Sequence, residues 1–144
     1  MSALRLAGTL VLAGAAVACG KDDTQAVTSP TAATATTTTA QFDGVIAPGG
    51  RRFYSFTVAT SGEVVVTLAS VTNAETGAPV DTPLRLGVGR PQGTACPPLA
   101  VVTAGAALQS QLTYLAPEGV HCIDVADGGS AATAVHFAVR FTYP

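Results

Sequence analysis

Two histidines, His121 and His136, are the side chains that suggest a metal site in this sequence. Both lie in runs of alternating apolar residues, which predict β-strands whose successive side chains point to opposite faces. His121 shares a face with Ile123 and Val125, whereas His136 lies opposite the face that Phe137 occupies. If both apolar faces point to the core, one histidine points inward and the other outward. Because zinc needs its ligands close together, we expect no zinc site and a semi-buried His121.

Four carboxylates suggest a second kind of metal site. Asp124 and Asp127, with Asp81 and Glu75 on a different loop, would supply the oxygen ligands that calcium prefers. Their spacing matches no defined calcium loop, and two glycines follow Asp127, which is typical of a turn. We therefore expect no cofactor and keep calcium as an alternative.

The motifs of catalysis give little support to an enzyme. No serine stands in a G-x-S-x-G motif, and no histidine is placed to act as its base. Gly87 and Gly89 are too close together for a phosphate loop and lie in a predicted strand. A carboxylate pair for glycoside hydrolysis cannot be assigned from one sequence. We predict a non-enzyme; a hydrolase whose site is scattered across several strands is the most distant alternative.

The charged residues argue against a nucleic-acid partner. The 144 residues carry a formal net charge of −2, and the seven basic residues do not form a stripe. We interpret the arginines as solvated charges on outer faces. Clustering of Arg85 and Arg140 with a surface aromatic would instead favour a polyanion site. The arginines concerned are Arg51, Arg52, Arg85, Arg90 and Arg140.

Residues 1–18 have the composition of a signal peptide for export. Arg5 and the amino terminus supply positive charge, Leu6–Val17 is apolar, and small residues lead into Cys19. No stretch reaches the roughly 18 apolar residues expected of a membrane-spanning helix. The sequence therefore predicts export from the cytoplasm.

The residues around Cys19 suggest how the exported chain is held. Ala16-Val17-Ala18-Cys19-Gly20 resembles the lipobox of bacterial lipoproteins. That resemblance implies a diacylglycerol on Cys19, which becomes the mature amino terminus and anchors the protein in a membrane. An aspartate after the cysteine would suggest inner-membrane retention, so Gly20 implies the outer membrane of the bacterial cell envelope. The alternative is an ordinary secretory signal and a secreted, unlipidated protein.

Residues 19–40 are the lipidated cysteine and a predicted tether. Eight of the seventeen residues 24–40 are threonine and five are alanine, with no apolar period. Such a segment cannot bury enough apolar surface to offset its ordering entropy. We expect a disordered linker whose ends would lie roughly 20–25 Å apart as a flexible coil.

Cys96 and Cys122 are the two cysteines left after Cys19. In an exported domain, an isolated pair of cysteines is expected to form a disulfide, and free reactive thiols are the alternative. Cys122 alternates with Ile123 and Val125, so its side chain should point away from the core. The bridge would tie the loop after the fourth strand to the outer face or edge of the domain.

Residues 41–144 predict eight short strands joined by turns, in a single eight-stranded antiparallel β-sandwich of the jelly-roll type. The most regular part is Arg51–Ser70, where two alternating runs flank Thr60-Ser61-Gly62. A hairpin loop at this joint would set Phe56 beside Val66. The same joint is equally suited to an arch between the two sheets, and the sequence leaves both open. In either case Phe56 and Val66 should be buried, and Leu108 should mark the start of the sixth strand.

The domain resembles the bacterial pre-peptidase C-terminal type of β-sandwich. The resemblance rests on GVIAPGGRRFYSFTVATSGEVVVTL and on the later segments LRLGVG, GTAC, LAPEGVHCIDVAD and VHFAVRF. It covers about 100 residues and is a pattern of strands and turns. Members of that family usually accompany secreted peptidases as non-catalytic modules.

These observations favour a non-catalytic, lipid-anchored cell-envelope protein that displays a binding or adhesion module. Its expected partners are the membrane, through the lipid anchor, and an envelope protein or a glycan. The alternative is a calcium-dependent carbohydrate- or protein-binding accessory module of a secreted hydrolase.

Overall fold

The computed structural model describes residues 36–144. The predicted signal peptide, Cys19 and most of the predicted tether lie outside the described residues. Within them the chain forms eight strands, named here in chain order. They are β1 (Thr38–Ile46), β2 (Arg51–Val58), β3 (Gly62–Asn73), β4 (Leu84–Gly89), β5 (Pro98–Ala104), β6 (Leu112–Ala116), β7 (Gly119–Ala126) and β8 (Val135–Tyr143).

The eight strands form two four-stranded antiparallel sheets. The first sheet has the order β1-β8-β3-β6, and the second has the order β2-β7-β4-β5. The predicted all-β class and the eight antiparallel strands are therefore confirmed. Within residues 36–144, no helix is long and apolar enough to cross a membrane.

The joint between β2 and β3 is an arch. Phe56 pairs with His121 of β7 in the second sheet, whereas Val66 pairs with Phe141 of β8 in the first. The hairpin alternative, with Phe56 beside Val66, is therefore not formed. Because both strands keep their apolar side chains on the inner face, the arch sends those side chains into one core from opposite sides.

The core lies between the two sheets and includes the central residues that the sequence predicts to be buried. Phe56 and Val66 are both buried. The ring of Phe56 packs against those of Phe141 and Tyr143, with centroids 5.0 and 4.9 Å away. The largest side chains that are fully buried are Phe137, Phe141, Leu68, Leu84, Leu86, Ile123 and His121.

Two boundaries differ from the sequence-based expectation. β1 begins at Thr38, three residues before the predicted start of the domain at residue 41. Leu108, expected to mark the sixth strand, is 91% exposed and lies in the β5–β6 connection. Before β6 begins, the connection contacts β3 irregularly. Oε1 of Gln111 accepts a hydrogen bond from the backbone N–H of Leu68 at 2.7 Å, and the backbone N–H of Ala107 donates to the carbonyl oxygen of Leu68 at 2.9 Å.

Candidate functional site

The predicted disulfide between Cys96 and Cys122 is present, with Cα atoms 6.1 Å apart. It fastens residues 90–97, the connection between β4 and β5, to β7 in the second sheet. We call this connection the disulfide loop. Cys122 lies on the face of β7 opposite the core, as its alternation with Ile123 predicts, yet it is fully buried. The disulfide loop therefore covers part of the outer face of the second sheet.

Two glycines on β4 give the chain room to lie against the sheet at this place. A Cβ on Gly87 would lie 2.9 Å from the Cβ of Pro98, and a Cβ on Gly89 would collide with the carbonyl oxygen of Pro97. Pro97 and Pro98 thus cover the face of β4 on which these glycines leave no side chain. Alanine at Gly89 would push the disulfide loop away from the sheet, and alanine at Gly87 would displace Pro98 at the start of β5.

Asp124 lies at this covered face and is fully buried. Its Oδ1 accepts hydrogen bonds from Nε and Nη2 of Arg51, at 3.1 and 2.9 Å. Its Oδ2 lies 3.5 Å from Nη2 of Arg85 and accepts no hydrogen bond from the described residues. The strand register explains this arrangement, because Arg51 of β2 and Arg85 of β4 both pair with Ala126, two residues from Asp124. Two arginines on flanking strands thus neutralise one buried carboxylate.

The two arginines are less buried than the aspartate that they neutralise. The side chains of Arg51 and Arg85 are 49% and 42% exposed. The disulfide loop also contacts Arg51, whose Nη2 donates a long hydrogen bond of 3.5 Å to the carbonyl oxygen of Cys96. The guanidinium group of Arg51 therefore contacts both Asp124 of the second sheet and the disulfide loop.

Asp127, at the end of β7, acts as the predicted turn residue. Its Oδ2 accepts a hydrogen bond from the backbone N–H of Gly49 at 2.8 Å. Its Oδ1 accepts three more from Gly129, Ser130 and Ala131, at 2.8 to 3.1 Å. The hydrogen bond from Gly49, helped by the other three, holds the pKa of Asp127 below its ordinary value of 3.8, although desolvation acts in the opposite direction. This carboxylate joins the β1–β2 turn to the β7–β8 connection.

The structure does not assemble the calcium ligands considered above. Asp124 is engaged by arginines and Asp127 by backbone N–H groups. Asp81 and Glu75 are exposed in the connection between β3 and β4. Across residues 36–144, no group of three or more His, Cys, Asp or Glu side chains is arranged to hold a metal ion.

The histidines follow the predicted parity, although His121 is fully buried and not semi-buried as expected. His121 is fully buried and points into the core, where its ring lies 6.1 Å from those of Phe56 and Tyr114. Its Nε2 donates to the carbonyl oxygen of Pro117 at 2.7 Å, and its Nδ1 has no partner among the described residues. His136 lies on the outer face of the first sheet, 3.7 Å from Asp43. The two rings therefore lie in different layers of the protein.

A groove lies at the sheet edges formed by β1 and β2, beside the disulfide loop. Its volume is about 390 Å³. Arg52 crosses from β2 to β1 at this edge, with its Nε donating to the carbonyl oxygen of Val45 at 2.8 Å. We call this feature the edge groove. It is lined by Phe42, Asp43, Gly44, Arg51, Arg52, Phe53, Thr94 and Ala95.

The edge groove is lined by cationic and aromatic side chains that neighbouring residues hold in place. Arg51 and Arg52 offer guanidinium groups, which suit carboxylates, phosphates and other anions. Phe42 and Phe53 offer apolar surface, and the ring of Tyr54 stacks on that of Phe42 with centroids 5.5 Å apart. The same lining also contains one carboxylate, that of Asp43.

Sequence reasoning missed both the edge groove and the pairing of Arg51 and Arg85 on Asp124. Arg85 lies in β4 of the second sheet and Arg140 in β8 of the first, so the cluster of those two residues considered above does not form. The sequence offered one indication of the ion pair: Asp124 is a charged residue at an outward-facing position of an otherwise apolar strand. Its partners depend on the order β2-β7-β4, which periodicity does not reveal.

No protein-family model matches the chain, and no curated protein matches it. Among solved structures, it is similar to the Yersinia pseudotuberculosis-derived mitogen (YPM), with 11% identity and a TM-score of 0.50, over 74% of this chain and 86% of that one. It is also similar to Aeromonas hydrophila PliG, a periplasmic lysozyme inhibitor of g-type lysozyme, with 14% identity and a TM-score of 0.46, over 72% and 83% of the two chains. At these identities the likeness to YPM concerns the fold alone. The resemblances to the pre-peptidase C-terminal domain and to the lipobox stay predictions.

Proposed function

We propose that this protein is a non-catalytic lipoprotein of the bacterial cell envelope, and that its β-sandwich is a binding module. On this proposal Cys19 carries the lipid, residues 20–37 connect it to β1, and the edge groove binds an anionic group of an envelope protein or glycan. The observation that carries the proposal is the edge groove, where two arginines and two phenylalanines line one surface and the arginines outnumber the single carboxylate, Asp43.

The frame of the edge groove supports a binding role. Arg51 is held by Asp124, and Thr94 and Ala95 are held beside it by the disulfide at Cys96. A surface fixed before its ligand arrives loses less conformational entropy on binding than a mobile one. The covalent bridge and the ion pair thus favour recognition by a preformed surface.

The resemblance to pre-peptidase C-terminal modules supports the same proposal, because such modules are non-catalytic. The lipobox-like stretch that ends at Cys19 and Gly20 supports a membrane anchor. Together they favour a protein held at the outer membrane whose domain reaches its ligand outside the cytoplasm.

The edge groove is tested by Arg52→Gln, which removes a positive charge and retains a polar side chain. The matched control is Arg140→Gln, which removes an exposed arginine from the first sheet. Wild-type protein and both variants are applied to a glycan array and to detergent extracts of cell envelopes, with bound proteins identified by mass spectrometry.

We expect a ligand retained by wild type and Arg140→Gln and lost by Arg52→Gln. Retention should also weaken as salt rises, because salt screens exposed charges. A ligand that binds all three proteins equally would place recognition outside the edge groove. Capture of nothing by the wild type from either source would contradict the binding role.

A further inference from the structure

The sequence contains a long stretch without charge. Between Arg90 and Glu118, no aspartate, glutamate, lysine, arginine or histidine occurs in residues 91–117. In the structure this stretch forms the disulfide loop, β5, the β5–β6 connection and β6. Elsewhere in the domain charged residues are spread along the chain. The lack of charged residues is therefore confined to this stretch.

The two strands of that stretch, β5 and β6, are edge strands of the two sheets. Within residues 36–144, β5 pairs only with β4, and β6 pairs only with β3. Each therefore presents one side of its backbone without a neighbouring strand. Four large apolar side chains in the region are exposed, namely Leu99, Val101, Leu108 and Leu115.

The opposite edge of the sandwich is different. There β1 carries Asp43, and β2 carries Arg51 and Arg52. Charged side chains on an edge strand discourage pairing with another strand, and an uncharged edge lacks this protection. β5 is the longer of the two uncharged edge strands, with seven residues against five in β6.

We propose that β5 pairs antiparallel with β5 of a second copy of this chain. This pairing would join two second sheets into one eight-stranded sheet. With the two-fold axis at the middle of β5, Val101 meets its own copy, so a charged residue there would repel itself. β5 has no charge, and its outward Leu99 and Val101 would extend an apolar surface across the junction. The uncharged strand and its exposed apolar side chains therefore suit pairing with a second copy of β5.

The test uses the full chain with two different epitope tags, co-expressed in one cell and extracted in detergent. Val101→Lys and Val101→Glu place a charge in the middle of β5. Val120→Lys is the matched control, because Val120 is also a valine, 51% exposed against 52% for Val101, on an inner strand of the same sheet. All variants keep Cys19, so sharing of a detergent micelle affects them equally.

Each wild-type copy should co-precipitate the other, and so should Val120→Lys copies. Two Val101→Lys copies, or two Val101→Glu copies, should fall to background because like charges meet. A Val101→Lys copy with a Val101→Glu copy should co-precipitate again, since opposite charges then face each other. Only pairing between two copies of β5 predicts this recovery.

The state of each variant is checked by formation of the Cys96–Cys122 disulfide on a non-reducing gel. A separate measurement on the wild type needs no substitution: its thermal midpoint should rise with protein concentration if the folded chain self-associates. Absence of wild-type co-precipitation, or pairing that survives in Val101→Lys alone, would overturn the proposal. Failure of the mixed charges to restore pairing between folded variants would do the same and would indicate a different partner for β5.

Discussion

Asp124 is fully buried, and its Oδ1 lies 2.9 Å from Nη2 of Arg51, a side chain that is half exposed. This ion pair connects a buried residue of the second sheet with an arginine that lines the edge groove. Removing Arg51 leaves the carboxylate with only the more distant Arg85, at 3.5 Å. Breaking the pair should therefore lower stability and, on the proposed function, weaken binding at the edge groove.

Arg51→Ala should destabilise the domain. Breaking a fully buried ion pair costs several kcal/mol, and the exposure of Arg51 reduces this to about 2 kcal/mol. Chemical denaturation measures the free energy of unfolding. Arg140→Ala is the control and should change it by less than about 0.5 kcal/mol, as is usual for an exposed side chain. Equal losses in the two variants would show that the ion pair contributes nothing specific.

Phe56→Ala should be among the more damaging substitutions in the core. Phe56 is buried and its ring packs on Phe141 and Tyr143, so its removal should cost about 3–5 kcal/mol. Leu115→Ala, at an exposed position of β6, should cost less than about 0.5 kcal/mol. A measured loss below about 1 kcal/mol for Phe56→Ala would contradict its central place in the core.

The core was predictable from the sequence because strand periodicity is local. Alternation at Phe56 and Val66 shows which side chains face inward whichever strands become neighbours. Alternation does not show which strands pair, and a loop at Ser61 fits both a hairpin and an arch. The order of strands therefore had to come from the structure.

The same limit, that alternation does not show which strands pair, explains which parts of the candidate site could be predicted. The Cys96–Cys122 bridge was predictable because only two cysteines remain after Cys19 and a disulfide joins them directly. The contact of Arg51 with Asp124 joins residues 73 apart through the pairing of β2 with β7. Leu108 was placed wrongly in a strand because its spacing from Leu112 and Tyr114 fits alternation, and alternation does not show that pairing with β3 begins only at Leu112.

Reduction of the Cys96–Cys122 disulfide should lower the unfolding midpoint and leave the domain folded. The bridge closes a loop with a sequence separation of 26, for which the chain-entropy model gives roughly 3–4 kcal/mol. The core between the sheets does not include the bridge, so the remaining structure should persist. Hydrogen exchange should quicken mainly in residues 90–97. Global unfolding on reduction at 25 °C would contradict this expectation.

Asp127→Asn should remove a pH-dependent part of the stability. Because the pKa of Asp127 is lowered in the folded protein, its charged form stabilises the fold above the unfolded-state pKa of about 3.9. That contribution is lost as the pH falls through the lower, folded-state pKa. The urea midpoints of wild type and variant should differ at pH 7 and converge in acid. A difference that stays constant down to the most acidic pH would contradict the role of the charge.

The central claim is that Cys19 anchors this binding module in the envelope, and lipid labelling tests it most directly. Cells that express the wild-type chain or Cys19→Ala are grown with labelled palmitate, and their membranes are separated from soluble fractions. The wild type should carry label and fractionate with membranes. Cys19→Ala should carry no label and leave the lipid-anchored fraction. Equal labelling, or equal partitioning of both proteins into detergent, would contradict the lipid anchor.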